Sequence, residues 1–284
     1  SGMGGNAPQV LLQEISKKIH ANEIHCALIS GGEVLQTMIS KLKSGEKLNW
    51  EDSAGGKPEI IGINDEGFSK EEKKHHMDLP SNVYPIFANA IRSSKSQSSE
   101  EHLKECSELF SKFSKVASLN PKAWFPKFRT PEEIEKISDS NRLVGFPYTK
   151  YLNSMIRVNM ASSLVVMSEK LTKELKIPQN KKVYIHGSCV LNDIWNVSKR
   201  PSLIESPAIR ECGKEVLSQA GISLSEISFL DIYSCFPSAV QIAQKELSLS
   251  SNDDRPLTVT GGLPYFGGPG NAYTMFSSSD MVKK

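Results

Sequence analysis

The stretch LTVTGGLPYFGGPGNAYT, residues 257–274, decides how the sequence is interpreted. Five of the 19 glycines in the chain lie within its residues 261–270. Glycine occurs where the backbone comes close to another group or adopts a positive φ. An apolar run opens the stretch, and ligand-binding loops often follow strands in open α/β sheets. The glycines therefore indicate either a substrate-binding loop or a long turn without a ligand, and composition leaves both interpretations open.

The composition is that of an ordinary soluble globular protein. The 284 residues suffice for one large domain or two small ones, and they carry 38% apolar residues, 23% charged residues and a formal net charge of +2. Without a dense Lys/Arg block, this balance argues against nucleic-acid binding. No apolar run reaches the roughly 18–20 residues of a membrane-spanning helix, and we expect no signal peptide. We therefore expect a cytoplasmic protein, with a peroxisomal or mitochondrial address as the alternative.

The cysteines favour a reducing compartment. They are widely spaced and form no CxxC pair, which predicts neither a zinc site nor a disulfide framework. The five are Cys26, Cys106, Cys189, Cys212 and Cys235. The adjacent His75 and His76 do not share a helix face, so we predict no metal site there or elsewhere.

Periodicity predicts alternating helices and strands. The clearest helix covers 98–117, where Ser98 and Glu101 form a capping box ahead of an apolar stripe. Further helices are predicted over 9–19, 169–177, 208–221 and 237–247, with a short one after Thr130. Strands are predicted at 25–29, 161–168, 183–185, 229–233 and 257–260, and an irregular polar excursion at about 41–82. The alternation predicts an α/β sheet with helices on its faces.

Several long motifs in order resemble the thiolase superfamily, in its sterol-carrier-protein-2-type and thiolase-like branch, which is related to acetyl-CoA acetyltransferases. The motifs are GGNAPQ (4–9), NRLVGFPYTKYLN (141–153), SPAIRECGKEVLSQAGI (206–222), DIYSCFPSAVQIA (231–243) and TVTGGLPYFGGPGN (258–271). The resemblance implies duplicated βαβαβαββ units in αβαβα layers, an inserted loop domain and a homodimer. It divides the chain into residues 1–40 and 156–180 of the N-terminal half, a loop domain at 41–155, and a C-terminal half at 181–284. Strands ahead of the first helix and a motif beyond Lys284 are absent from the sequence, so we expect an incomplete fold, truncated at both ends.

The resemblance also implies acyl transfer between coenzyme A and a carbon nucleophile. That chemistry needs a cysteine at a helix N-terminus, a histidine in a Gly-His-Pro loop and oxyanion donors. This sequence departs at each point. Residues 1–6, before the first helix, hold no cysteine; Gly268 replaces the histidine; and Tyr233 stands in the motif that usually reads His-Asp-Cys-Phe. The family mechanism therefore lacks its nucleophile and its base.

The remaining candidates keep two interpretations each. Cys235 at a strand-to-helix turn, His186 after a strand and Tyr233 are candidate catalytic groups, or alternatively buried or structural side chains. Trp124, in an aromatic loop, either stacks on an adenine ring or anchors the loop. The candidate substrate-binding residues are Gly267, Gly268, Asn271, Tyr233, Asn192 and Trp124.

Three functions follow from these residues. The first is binding of an acyl-CoA or related thioester in lipid metabolism without the usual catalytic set. The second is an active acyltransferase or thioesterase that uses other groups, and the third is a non-catalytic partner subunit. No cofactor is expected beyond the coenzyme A thioester as ligand or substrate.

Overall fold

The computed structural model describes residues 4–50, 55–57, 59–62, 66–250 and 253–284. Parts of the predicted 1–40 unit and of the predicted excursion therefore lie outside the described residues. The helices and strands, in chain order, are α1 (Ala7–His20), β1 (Cys26–Glu33), α2 (Leu35–Ser44), α3 (Lys70–Lys74), α4 (Pro80–Ser94), α5 (Ser99–Ser118), α6 (Pro131–Glu135), β2 (Leu143–Gly145), β3 (Tyr148–Thr149), β4 (Met160–Met167), α7 (Glu169–Glu174), α8 (Pro207–Ala220), α9 (Pro237–Glu246) and α10 (Tyr273–Met281).

Strands β1 and β4 form an antiparallel pair, in which Cys26 lies opposite Met167 and Glu33 opposite Met160. Both strands are among those predicted from the sequence. Ile29 is buried on the face that packs against α1 and α10, whereas Leu28 and Val165, opposite each other, are exposed. Only one face of this two-stranded sheet is covered by the described residues.

The strands predicted at 183–185, 229–233 and 257–260 do not form a ladder, and these predictions are wrong. A single backbone hydrogen bond, from the Ile232 N–H to the Leu257 carbonyl at 2.9 Å, joins the last two segments. Val183 and Ile185 are largely exposed. The apolar runs of these segments satisfy the sequence criterion for a buried strand. A strand also needs a ladder of hydrogen bonds to a neighbouring backbone, and the described residues form no such ladder at these segments.

The predicted excursion at 41–82 is less irregular than expected. Helix α2 continues to Ser44, and α3 lies inside the excursion. Ser69 and Glu72 form a capping box at the start of α3, and Pro80 occupies the first turn of α4. The capping box and the N-terminal proline explain why helices begin within a stretch whose overall composition is polar.

Helix α5 forms the centre of the main core, and its predicted capping box is present. Phe110 and Phe113 are almost fully buried. A Cβ atom added at Gly261 would overlap Ala117, and one added at Gly262 would lie 2.6 Å from the ring of Phe113. The first glycine pair of the 257–274 stretch thus serves close packing against α5.

The same core joins residues of α4 and α5 with residues of the 232–276 region. Its largest fully buried side chains include Phe110, Phe113, Tyr148, Tyr265, Phe266 and Tyr273. The predicted loop domain and C-terminal half therefore share one core in this structure, and the domain boundaries stay a prediction. Among the described helices, none is long and apolar enough to cross a membrane.

Candidate functional site

The start of α1 lies against the glycine-rich turn near the end of the chain. The Gly4 N–H donates to Asn271 Oδ1 at 3.1 Å, and Thr274 Oγ1 donates to the Gly5 carbonyl at 3.1 Å. One helical turn further, Gln9 Nε2 donates to Ser278 Oγ at 3.1 Å. Two sequence motifs at opposite ends of the chain thus build one surface.

Tyr233 fills the space beside the first residues of α1. A Cβ atom added at Gly5 would overlap the tyrosine ring and lie 2.7 Å from its hydroxyl oxygen. The ring also contacts Tyr273 edge to face, with centroids 5.7 Å apart. Burial, aided by the neighbouring Cys235, raises the pKa of Tyr233 far above its ordinary value. The hydroxyl therefore stays protonated and can donate a hydrogen bond.

Ser154 fills the space in front of Gly268. A Cβ atom added at Gly268 would overlap Ser154 Oγ, and the Gly268 N–H already donates to the Met155 carbonyl at 2.9 Å. The Ser154 N–H in turn donates to the Cys235 carbonyl at 3.0 Å. The chain therefore packs the Ser154 side chain directly against Gly268.

The aromatic loop runs beside the glycine-rich segment. The Trp124 N–H donates to the Phe266 carbonyl, and the Phe125 N–H to the Tyr265 carbonyl, both at 3.0 Å. Trp124 Cδ1 would lie 3.6 Å from a Cβ atom at Gly267. The structure thus brings Trp124 and Gly267 together, although their role in ligand binding stays a prediction.

Cys235 is buried and its thiol is neutral. Burial raises its pKa to about 12, even though hydrogen bonds from the Tyr84 hydroxyl and the Phe236 backbone favour the thiolate. A thiol with this pKa holds almost no thiolate at neutral pH, so its nucleophilicity is low.

His186 and Asn192 are both exposed. His186 precedes Gly187, which packs against α8. Asn192 lines a cavity of about 320 Å³ together with Arg200 and Glu211. Neither residue lines the cavity that lies at the glycine-rich turn.

That cavity, of about 550 Å³, lies at the junction of α1, β1 and the glycine-rich turn. Its walls are formed by Ala7, Pro8 and Leu11 of α1, by residues 30–33, by Pro269–Ala272 and by Met275. Asn271 is exposed in this cavity, whereas Gly267 and Gly268 are buried behind it. The volume lies within the roughly 300–1,000 Å³ of small-molecule pockets.

A further cavity of about 520 Å³ runs along α5 between Lys112, Phe128 and Arg255. The Arg255 guanidinium in its lining donates to the Asp253 carboxylate and to the carbonyls of Leu224 and Ile227. We assign this arginine a structural role, because its donors are already used inside the protein.

Comparison with solved structures identifies the fold. The chain matches a monomeric SCP2-thiolase-like protein type 1 from Mycobacterium smegmatis with a TM-score of 0.83 and 30% identity, over 100% of this chain and 55% of that one. It matches the Ltp2-ChsH2(DUF35) aldolase with a TM-score of 0.61 and 15% identity, over 99% of this chain and 68% of that one. It matches the dimeric peroxisomal thiolase of Saccharomyces cerevisiae with a TM-score of 0.64 and 14% identity, over 98% of this chain and 67% of that one.

The chain is SCP2-thiolase-like and belongs to the thiolase superfamily. The expected α/β, thiolase-like fold is confirmed. The two structures with 15% and 14% identity show the fold alone, and this SCP2-thiolase-like chain spans 55% of the length of the mycobacterial protein. No protein-family profile matches the chain, and a search of curated proteins finds no match.

Sequence reasoning missed three residues of this thiolase-like site. Ser154 follows the motif NRLVGFPYTKYLN directly, and Thr274 closes the stretch at 257–274. Gly5 belongs to GGNAPQ but carries no side chain that would draw attention. Thr274 and Gly5 lie inside sequence motifs and Ser154 lies beside one, but the spacing of residues along the chain does not show which of them come into contact.

Proposed function

We propose that this SCP2-thiolase-like chain binds an acyl-CoA or a related thioester in lipid metabolism and does not turn it over by the family mechanism. The observation that carries the proposal is the packing at Gly5 and Gly268. The side chains of Tyr233 and Ser154 occupy the space beside these glycines. Neither a thiol at the start of α1 nor an imidazole in the glycine-rich turn would fit without displacing them.

Binding is supported by the 550 Å³ cavity beside these glycines. Apolar side chains of α1 and Met275 line one part of it, and the Asn271 amide lies in another. Such a combination of apolar walls and few polar groups suits a ligand with an alkyl chain and an amide or thioester group. We expect the acyl and pantetheine portion of a coenzyme A thioester to enter here.

The rival proposal is an active acyltransferase or thioesterase with a different catalytic set. Cys235 is its strongest nucleophile candidate, but burial raises the pKa of this thiol to about 12. Removal of a nucleophile or a base typically lowers the rate by several orders of magnitude. The rival therefore needs a rearrangement that exposes Cys235 and deprotonates it.

An intact-mass experiment separates the two proposals. The full chain is incubated with acetyl-CoA at neutral pH, and bound thioester and protein mass are measured in parallel, with Cys235→Ala and Cys26→Ala as matched variants. We expect bound, intact acetyl-CoA and no acyl adduct in any variant. An adduct that disappears in Cys235→Ala and persists in Cys26→Ala would establish the rival.

We also propose a cytoplasmic homodimer. Solved relatives are described as monomeric in one case and dimeric in another. Light scattering of the purified chain measures its mass directly. A monomer that becomes a stable assembly only with a second, different chain would instead favour the non-catalytic partner-subunit function.

A further inference from the structure

The segment 187–193 runs antiparallel along helix α8. At one end, the Ser188 N–H donates to Gln219 Oε1 at 2.9 Å, and a Cβ atom at Gly187 would lie 2.8 Å from the Val216 carbonyl oxygen. At the other end, the Ala208 N–H donates to Asp193 Oδ1 at 3.1 Å. Both ends of the segment are thus fixed to the same helix.

Cys189 and Cys212 meet in the middle of this contact. Positions 208, 212 and 216 are four residues apart and share one helix face. Gly187 lies against Val216, and the two cysteines follow from this pair in the same direction. From 216 to 212 the helix rises about 6 Å, and from 187 to 189 an extended chain advances about 6.6 Å. These similar distances place Cys189 beside Cys212. The Cys189 side chain is close enough to Cys212 to contribute to the raised pKa of the Cys212 thiol.

We propose that Cys189 and Cys212 form a reversible disulfide when the chain meets a peroxide. Both cysteines are free and partly accessible to solvent, whereas Cys106 and Cys235 are buried. A pair of adjacent, accessible thiols is the arrangement in which oxidation at one sulfur is resolved by the other.

The chemistry balances with hydrogen peroxide as the oxidant. Cys189 releases its thiol proton, and the thiolate attacks one peroxide oxygen. The O–O bond breaks, a sulfenic acid forms, and the departing hydroxide takes up the released proton as one water. The Cys212 sulfur then attacks the Cys189 sulfur, the S–O bond breaks, and a second water leaves with the proton of the thiol. Two thiols are oxidised and one peroxide is reduced to two waters.

Burial, together with its neighbour Cys189, raises the pKa of the Cys212 thiol to about 11. The Cys212 thiolate is therefore scarce at neutral pH, and Cys212 is written as the resolving sulfur. The same disulfide and the same two waters form if the peroxide meets Cys212 first.

The disulfide would link the segment 187–193, which contains Asn192, to helix α8. Leu191, Asn192 and Asp193 form one wall of the 320 Å³ cavity, and Pro207, Ala208 and Glu211 of α8 form another. Oxidation would thus fix the two walls of this cavity relative to each other. The reduced chain keeps only hydrogen bonds and packing between them.

The test is peptide mapping of the purified full chain. The chain is treated with hydrogen peroxide at neutral pH, remaining thiols are alkylated, and disulfide-linked peptides are identified before and after dithiothreitol. We expect a peptide pair that joins Cys189 to Cys212, that dithiothreitol releases, and that persists in Cys26→Ser. The pair should be lost in Cys189→Ser and in Cys212→Ser.

Thermal unfolding provides a second readout that does not depend on the serine variants. The oxidised wild-type chain should unfold at a higher temperature than the reduced chain, because the bridge restricts the unfolded state. The proposal is overturned if Cys189 and Cys212 are both alkylated after peroxide treatment, or if Cys189 is recovered as a sulfinic acid beside a free Cys212.

Discussion

Ser154 Oγ occupies the space into which a side chain at Gly268 would project. We expect Gly268→Ala to lower the free energy of unfolding by about 2 kcal/mol, because overpacking a filled site typically has this cost. Urea unfolding measures the change. In the double variant Gly268→Ala with Ser154→Ala most of the loss should be recovered, since the overlapping oxygen is gone. Equal destabilisation with and without Ser154→Ala would show that the serine does not fill the site.

Glu72 ties α3 to the segment near Ser198. It accepts hydrogen bonds from the backbone N–H groups of Ser69 at 2.7 Å and Ser198 at 2.8 Å, and from Asn196 Nδ2 at 3.1 Å. Burial raises its pKa, but the hydrogen bonds from Ser198 and Ser69 outweigh burial and hold the pKa at about 2, below its ordinary 4.5. The carboxylate therefore stabilises the folded state fully above pH 4.5 and progressively less as the pH falls toward 2.

Glu72→Gln should lower the free energy of unfolding by about 2 kcal/mol at pH 7, a typical value for hydrogen bonds to a buried charge. The difference from wild type should shrink between pH 4.5 and pH 2. Glu71→Gln, at the exposed neighbouring position, is the control and should leave stability nearly unchanged. A Glu72→Gln deficit that is constant across this pH range would contradict the assigned role of the carboxylate.

At the scale of elements, the start of α5 is held by its capping box. Ser98 Oγ accepts from the Glu101 N–H at 3.2 Å, and Glu101 Oε2 accepts from the Ser98 N–H at 2.7 Å. Ser98→Ala should cost about 1 kcal/mol in unfolding free energy, as loss of a helix N-cap typically does. Ser93→Ala, on the exposed part of α4, should cost much less. Equal effects of the two substitutions in thermal unfolding would argue against the cap.

Elements with local signals were predictable from the sequence. Helices α5 and α8 begin at capping serines and were placed within about two residues of their observed ends, because capping and amphipathicity are written in adjacent residues. The strands predicted at 183–185 and 229–233 are not formed, because strand formation depends on a partner segment that the apolar run itself does not specify.

The candidate site shows the same contrast between features with local sequence signals and features that depend on tertiary packing. The motifs around Gly268 and Tyr233 predicted that these residues belong to one site, and the structure brings Gly5, Tyr233 and Asn271 into one neighbourhood. That a ligand binds there stays a prediction. The sequence did not predict that Ser154 fills the space at Gly268, because residues more than 100 positions apart meet there through tertiary packing. The sequence also predicted Asn192 as a substrate-binding residue, but Asn192 lines the separate cavity of about 320 Å³. The position of a residue in a loop does not show which cavity its side chain lines.

For the whole molecule, we propose that the ligand binds in the cavity beside the glycine-rich turn. Leu11→Trp would fill part of this cavity and should weaken acetyl-CoA binding at least tenfold, or about 1.4 kcal/mol. Leu191→Trp changes the separate cavity near Asn192 and serves as the matched control. Isothermal titration measures both affinities. Weaker binding in Leu191→Trp than in Leu11→Trp would move the site to the other cavity.

The central claim is that the molecule holds a thioester and leaves it intact. Equilibrium dialysis of the wild-type chain against acetyl-CoA, with chromatographic separation of acetyl-CoA from free coenzyme A on both sides of the membrane, tests both halves of this claim at once. We predict an excess of acetyl-CoA on the protein side and no increase of free coenzyme A above the protein-free control. Free coenzyme A that keeps accumulating beyond one equivalent per chain would contradict it.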